Sequence, residues 1–125
     1  VLVVEDNPVN QEIATELLSD VNLKVTVANN GQEALDILRD SEGRPPFSMV
    51  LMDLQMPVMD GYQAARLIRN DPRYDAMPVI AMTAHALDSE RERCIETGMN
   101  GHLTKPVDIQ AMYAVLKAHL GAVSK

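Results

Sequence analysis

Cysteine occurs once in these 125 residues, at Cys94, so no disulfide can form within the chain. That usage fits a reducing compartment. Aromatic residues make up only 3%, with no tryptophan, one phenylalanine and three tyrosines. So few argue against a site that sandwiches a flat ring such as a flavin between aromatic side chains. Basic residues are in deficit: 11 Lys and Arg against 18 Asp and Glu leave a net charge of −7. A chain of that sign lacks the positive field that nucleic acids attract to, so no nucleic-acid partner is expected. No apolar stretch approaches the roughly 20 residues of a membrane span. No signal peptide, internal repeat or low-complexity segment is visible, and no membrane contact is expected.

What is present describes a globule. Hydrophobic residues are 46% and charged residues 23%, an ordinary balance for a packed domain. The length fits one domain, residues 1–125, and a chain of this size buries roughly two-thirds of its unfolded surface. The first apolar run already includes Val1. A strand beginning at the first residue suggests a domain cut from a longer, multidomain protein.

Apolar runs alternate with helical patterns along the chain. VLVV at 1–4 reads as a first strand. Asn7 is placed to cap a helix with Pro8 at its first position, where the missing N–H is harmless. Val9, Ile13 and Leu17 repeat at four-residue spacing and are expected to face inward, with Ala14 and Leu18 widening the stripe. Residues 24–28 alternate polar and apolar, as a half-exposed edge strand does. A helix is expected over 31–40 with Ala34, Leu35 and Leu38 inward, and SEGRPP reads as a loop. Residues 49–52 and 79–82 are apolar throughout, as central parallel strands covered on both faces must be. Helices are expected over 61–70 and 87–97, the latter with only Leu87, Cys94 and Ile95 to bury. A short strand follows at 101–104. Asp108 is placed to cap a last helix whose Ile109, Met112, Leu116 and Leu120 hold one face. Five strands alternating with five helices imply an α/β fold, a parallel sheet with helices on both sides. Continuous apolar runs in the centre and the amphipathic second strand at an edge give the order 2-1-3-4-5.

In such a sheet ligands bind beyond the carboxyl ends of the strands, where the order reverses between strands 1 and 3. Glu5, Asp6 and Asp53 all fall there, and Thr83 and Lys105 follow strands 4 and 5. Charges at the ends of buried strands are costly unless paired, so five such residues from four strands suggest one shared site. Clustered carboxylates repel, and a hard divalent cation removes that penalty. Mg²⁺ prefers oxygen ligands and often bridges carboxylates to a phosphate. Lys105 offers an ammonium and Thr83 a hydroxyl to phosphate oxygens. Asp53, ending a central strand between the acidic pair and the Thr/Lys side, reads as a nucleophile that forms an acyl phosphate. No histidine is placed as a general base, and a carboxylate ionised at neutral pH needs none. Pro57 and Gly61 turn the loop after Asp53, so the backbone near Gln55 can face back to the site.

VEDN at 4–7, DLQMPVMDG at 53–61, MTA at 82–84 and KP at 105–106 together resemble the receiver domain of two-component signalling, and the resemblance covers the whole chain. The order 2-1-3-4-5, also called flavodoxin-like, is already known for this family, so the topology is no independent support. The resemblance implies that Asp53 is the phosphoacceptor, that Asp6 ligates Mg²⁺ directly and Glu5 mostly through water, and that Gln55 offers its backbone carbonyl. Thr83 and Lys105 would hold the phosphoryl oxygens, and the Lys105–Pro106 bond would be cis. The donor would be a phosphohistidine on a histidine kinase or a histidine phosphotransfer domain. Phosphorylation would reshape the surface of helix 4, strand 5 and helix 5, with Thr83 and a strand-5 side chain moving together. That switch position is usually Tyr or Phe and here is His102. Gln55 and His85 occupy the positions that tune the lifetime of the acyl phosphate.

The phrases VVEDNPVNQ and GMNGHLTKPVD are similar to receivers fused to hybrid sensor histidine kinases, which implies a cytoplasmic domain. Such a domain would catalyse only its own phosphorylation and dephosphorylation. A receiver that only docks, without phosphorylation, is the alternative. A phosphatase of the haloacid-dehalogenase type is less favoured, because it wants a second Asp where Gln55 stands. Asp60 reads as a helix opener, the methionines as core filler, Cys94 as a half-buried helix residue, and Tyr62 and Tyr113 as packing residues. His85 and His119 match no zinc spacing.

Overall fold

The computed structural model describes residues 1–21, 23–39, 49–54, 59–74, 77–83, 88–104 and 108–120. Elements run β1 (Leu2–Val4), α1 (Pro8–Ser19), β2 (Thr26–Ala28), α2 (Gly31–Arg39), β3 (Val50–Asp53), α3 (Gly61–Arg69), β4 (Val79–Thr83), α4 (Asp88–Glu96), β5 (Gly101–Thr104) and α5 (Ile109–Leu120), with a 3-10 turn at Pro72–Tyr74. All strand pairs are parallel, in the order β2-β1-β3-β4-β5. The apolar runs lie in the middle, and the alternating β2 lies at an edge with burial falling toward its start. Asp53 and Thr83 are the last residues of β3 and β4, one position further into the sheet than the apolar runs alone indicate.

Alternation along the strands divides the core in two. Leu2, Val4, Val50, Met52, Val79 and Ala81 pack on one face with α2, α3 and Cys94 of α4. Val1, Val3, Leu51, Ile80 and Met82 face the other way, against α1 and α5. Full burial of such side chains contributes about 1.5–3 kcal/mol each. Every described methionine is buried, as core filler should be.

Four residues expected to face inward are corrected: Val9, Ile13, Ile95 and Ile109. Ala14 and Leu18 bury the face of α1, while Val9 is 63% and Ile13 40% exposed and Leu17 is partly buried. The helix is turned so that the small Ala14 meets the sheet, and the larger residues at four-residue spacing lie on its flank. Ile95 of α4 is 73% and Ile109 of α5 43% exposed, because α4 and α5 reach the core through Cys94, Met112 and Leu116. Cys94 is buried more deeply than half, while Leu87 and the side chain of Leu120 lie outside the described residues. Asn7 caps α1, accepting from the Val9 and Asn10 N–H groups. Asp60 caps α3 through the Gln63 N–H at 2.8 Å, and Asp108 accepts from Gln110 N at the start of α5.

Candidate functional site at the carboxyl ends of the strands

β1 and β3 are paired through Val4 and Met52, so the next residue on each, Glu5 and Asp53, emerges at the same level. One carboxylate oxygen from each of Glu5, Asp6 and Asp53 lies within 4.8 Å of the others. Glu5 and Asp53 are buried and Asp6 is exposed, giving a cleft with an acidic floor and one acidic wall facing water. Like charges ~4 Å apart repel by about 4 kcal/mol at an effective dielectric of ~20. The cluster therefore favours a cation among its oxygens. Three carboxylates with no nitrogen or sulfur in the set suit Mg²⁺ or a similarly hard ion.

Local sequence builds this geometry. Glu5 Oε1 accepts the Asn7 N–H at 3.1 Å, which folds the acidic pair back onto the start of α1. The Gln11 amide of α1 donates to the Glu5 carbonyl and, at 2.9 Å, to Asn29 Oδ1 beyond β2. Gly61 sets the other wall. Its N–H donates to the Leu54 carbonyl at 3.1 Å, and a Cβ there would press on the backbone of Asp53 and Leu54. The turn role read from Gly61 is thus joined by a steric one, because α3 starts hard against the end of the strand that carries Asp53.

Thr83 ends β4 in the neighbouring strand, level with Thr104 of β5. Its hydroxyl donates to Glu90 Oε1 of α4 at 2.7 Å. Glu90 was not legible as a site neighbour in the sequence, since a residue seven positions beyond Thr83 is placed only by the path between strand and helix. Glu90, Arg93 and Cys94 share one helical face. The Arg93 guanidinium lies 4.0 Å from the centre of the Tyr62 ring of α3, a cation–π arrangement. Burial pushes the Cys94 thiol up from its ordinary value, against the pull of a hydrogen bond with Tyr62. Burial also raises the Tyr62 hydroxyl, with Cys94 and Glu90 adding to it and Arg93 opposing. His102 is half-buried on β5 and lines a cavity of about 240 Å³ with Arg91, Ile95 and Met99. Gln55, His85, Lys105 and the Lys105–Pro106 bond lie outside the described residues.

The chain matches the family model described as response regulator receiver domain over residues 1–117. It is 40% identical over 119 residues to the osmosensing histidine protein kinase SLN1 of Saccharomyces cerevisiae, a match covering 93% of this chain and 10% of that protein. The chain spans about a tenth of the length of the curated relatives it matches. Among solved structures, it resembles the receiver domain of sensor histidine kinase PA1611 from Pseudomonas aeruginosa PAO1, with a magnesium ion coordinated in the active site cleft. There the identity is 38% and the TM-score 0.83, with 97% of this chain and 96% of that one covered. It also resembles the receiver domain of the Saccharomyces cerevisiae response regulator Ssk1 in its co-crystal with the histidine phosphotransfer protein Ypd1. That match has 30% identity and a TM-score of 0.85, and covers 94% of this chain and 86% of that one.

Proposed function

We propose, from the premise that this chain belongs to the response regulator receiver domain family, that Asp53 accepts a phosphoryl group from a phosphohistidine in a two-component phosphorelay. The observation that carries this reading is the convergence of Glu5, Asp6 and Asp53 at the ends of β1 and β3. A buried carboxylate at a strand end, flanked by two others, is an oxygen nucleophile beside a cation site. Glu5, Asp6 and Asp53, with the Gln55 carbonyl, are the groups that would hold Mg²⁺. Bound there, the ion would neutralise charge on the phosphoryl oxygens, which is most of what phosphoryl transfer asks of a protein.

The chain's own residues have separate tasks. An Asp53 oxygen attacks phosphorus as the donor's P–N bond breaks. The electron pair stays on the imidazole nitrogen, which takes a proton from water. The attacking carboxylate oxygen supplies the electron pair for the new P–O bond. Thr83 and Lys105 are assigned to the phosphoryl oxygens, and His102 to the readout on β5, where the cavity beside it leaves room for a change in packing against α4. A phosphohistidine must be carried to Asp53 on another protein. The exposed Val9 and Ile13, on the helix that begins two residues after Asp6, supply an apolar landing beside the cleft for a histidine phosphotransfer domain. The SLN1 similarity supports origin in a histidine kinase, and the Ssk1 similarity, to a receiver crystallised with a histidine phosphotransfer protein, supports a partner of that kind.

Phosphoramidate, whose P–N bond stands in for a phosphohistidine, tests this reading. With Mg²⁺ present, one hydroxylamine-labile phosphoryl group is expected on the wild-type chain and none on Asp53→Asn. Folded wild-type protein that stays unmodified, or equal modification of Asp53→Asn, contradicts it.

A further inference from the structure

The Thr83 hydroxyl has one proton to give. In this structure that proton goes to Glu90 Oε1 across 2.7 Å. A carboxylate and a phosphoryl oxygen are both acceptors, so the two cannot take the same proton at once. Thr83 is 5% exposed and half-buried Glu90 belongs to the first turn of α4, so this contact lies in partly screened surroundings where a charge-assisted hydrogen bond is strong. It also joins the end of β4 to the first turn of α4. Cys94, near the other end of α4, is buried, whereas Ile95 is exposed.

We propose that Glu90 is a positioning residue that competes with the phosphoryl group for the Thr83 hydroxyl and so holds the resting state of the switch. This rests on the receiver reading above. With the phosphoryl group absent, Thr83 is turned to α4 and the helix is tied to the sheet. Engagement of Thr83 with a phosphoryl oxygen requires the Thr83–Glu90 bond to break, which releases the first turn of α4. The release of α4 and the capture of the phosphoryl group are then one event, in which a hydrogen bond is exchanged and no covalent bond changes. Glu90 lowers the apparent affinity for a phosphoryl-like ligand by reducing the fraction of molecules whose Thr83 is available.

The test is a double-mutant cycle on the binding of beryllofluoride, a tetrahedral stand-in for a phosphoryl group, in Mg²⁺, followed by amide resonances. Glu90→Ala is expected to tighten binding about five- to twentyfold. Glu90→Gln keeps a neutral acceptor and is expected to give a smaller gain. In a Thr83→Ala background, either Glu90 change should alter affinity less than about twofold, because there is no hydroxyl left to compete for. A merely electrostatic effect of removing a negative charge behaves differently. It would make Gln and Ala equivalent and would persist without the Thr83 hydroxyl, and that result overturns the proposal. So does unchanged or weaker binding by Glu90→Ala. Should the alanine variant fail to fold, Glu90→Gln against the same cycle decides the matter. A wild-type chain that binds no beryllofluoride overturns the receiver reading itself, an outcome distinct from a wild type that binds but does not respond at Glu90.

Discussion

Cys94 and Tyr62 are two protonated groups packed together between α3 and α4, and burial is the main reason each holds its proton more tightly than usual. In the unfolded chain both revert to ordinary values. Above the ordinary thiol range, ~8.5, and on past the phenol range, ~10, the unfolded chain releases protons that the folded chain keeps. Stability therefore falls as pH rises through that window. The urea midpoint is expected to drop between pH 7.5 and 10, and to drop less in Cys94→Ala, which has no thiol to titrate. An identical drop in both proteins contradicts this assignment. The same contrast of environment separates the acids of the site: Glu5 and Asp53 are buried while Asp6 faces water, which suits one residue to a reacting role at the cleft floor and another to an ion arriving from solvent.

α3 is tied to the turn between α4 and β5 by one side chain. Arg69 donates from Nε to the Gly98 carbonyl at 2.7 Å, from Nη1 to the Tyr74 carbonyl at 2.7 Å and from Nη2 to Asn100 Oδ1 at 2.6 Å. Gly98, at φ +92°, turns its backbone against that guanidinium, and Asn100 Oδ1 also accepts the Val79 N–H at the start of β4. A lysine cannot reproduce the fork. Arg69→Lys is expected to destabilise the fold by about 2–3 kcal/mol in urea unfolding, and a loss below about 0.5 kcal/mol would show the clamp to be idle. This clamp was invisible in the sequence, because its partners, two backbone carbonyls and the Asn100 side chain, are brought near by tertiary packing. The central strands were legible, since VLVV, MVLM and VIAM have no polar interruption and can only be covered on both faces. The azimuth of α1 was not. Val9, Ile13 and Leu17 have the same spacing as Ala14 and Leu18, so periodicity identifies a helix with an apolar flank but not which rows meet the sheet. The acidic cluster was legible because strand ends in a parallel sheet share one edge. Glu90 was missed because its partner lies on a different element, and no local pattern sets the distance between them.

Across the whole molecule, 18 acidic residues outnumber 11 basic ones, and three of the acids are gathered in one cleft. No described helix is long and apolar enough to cross a membrane. A cation held in the cleft lowers local repulsion, while the surplus negative charge elsewhere attracts divalent ions generally and is screened by salt. Site binding and diffuse attraction can be told apart by the chemistry that follows. Acetyl phosphate is the donor to use, with the intact mass followed across a Mg²⁺ titration at fixed ionic strength. A single phosphoryl adduct is expected that rises to saturation with Mg²⁺, is nearly lost in chelator, and never forms on Asp53→Asn. Labelling that is indifferent to Mg²⁺, or that survives the loss of the Asp53 carboxylate, would contradict the claim that these three acids hold one cation so that one of them can take a phosphoryl group.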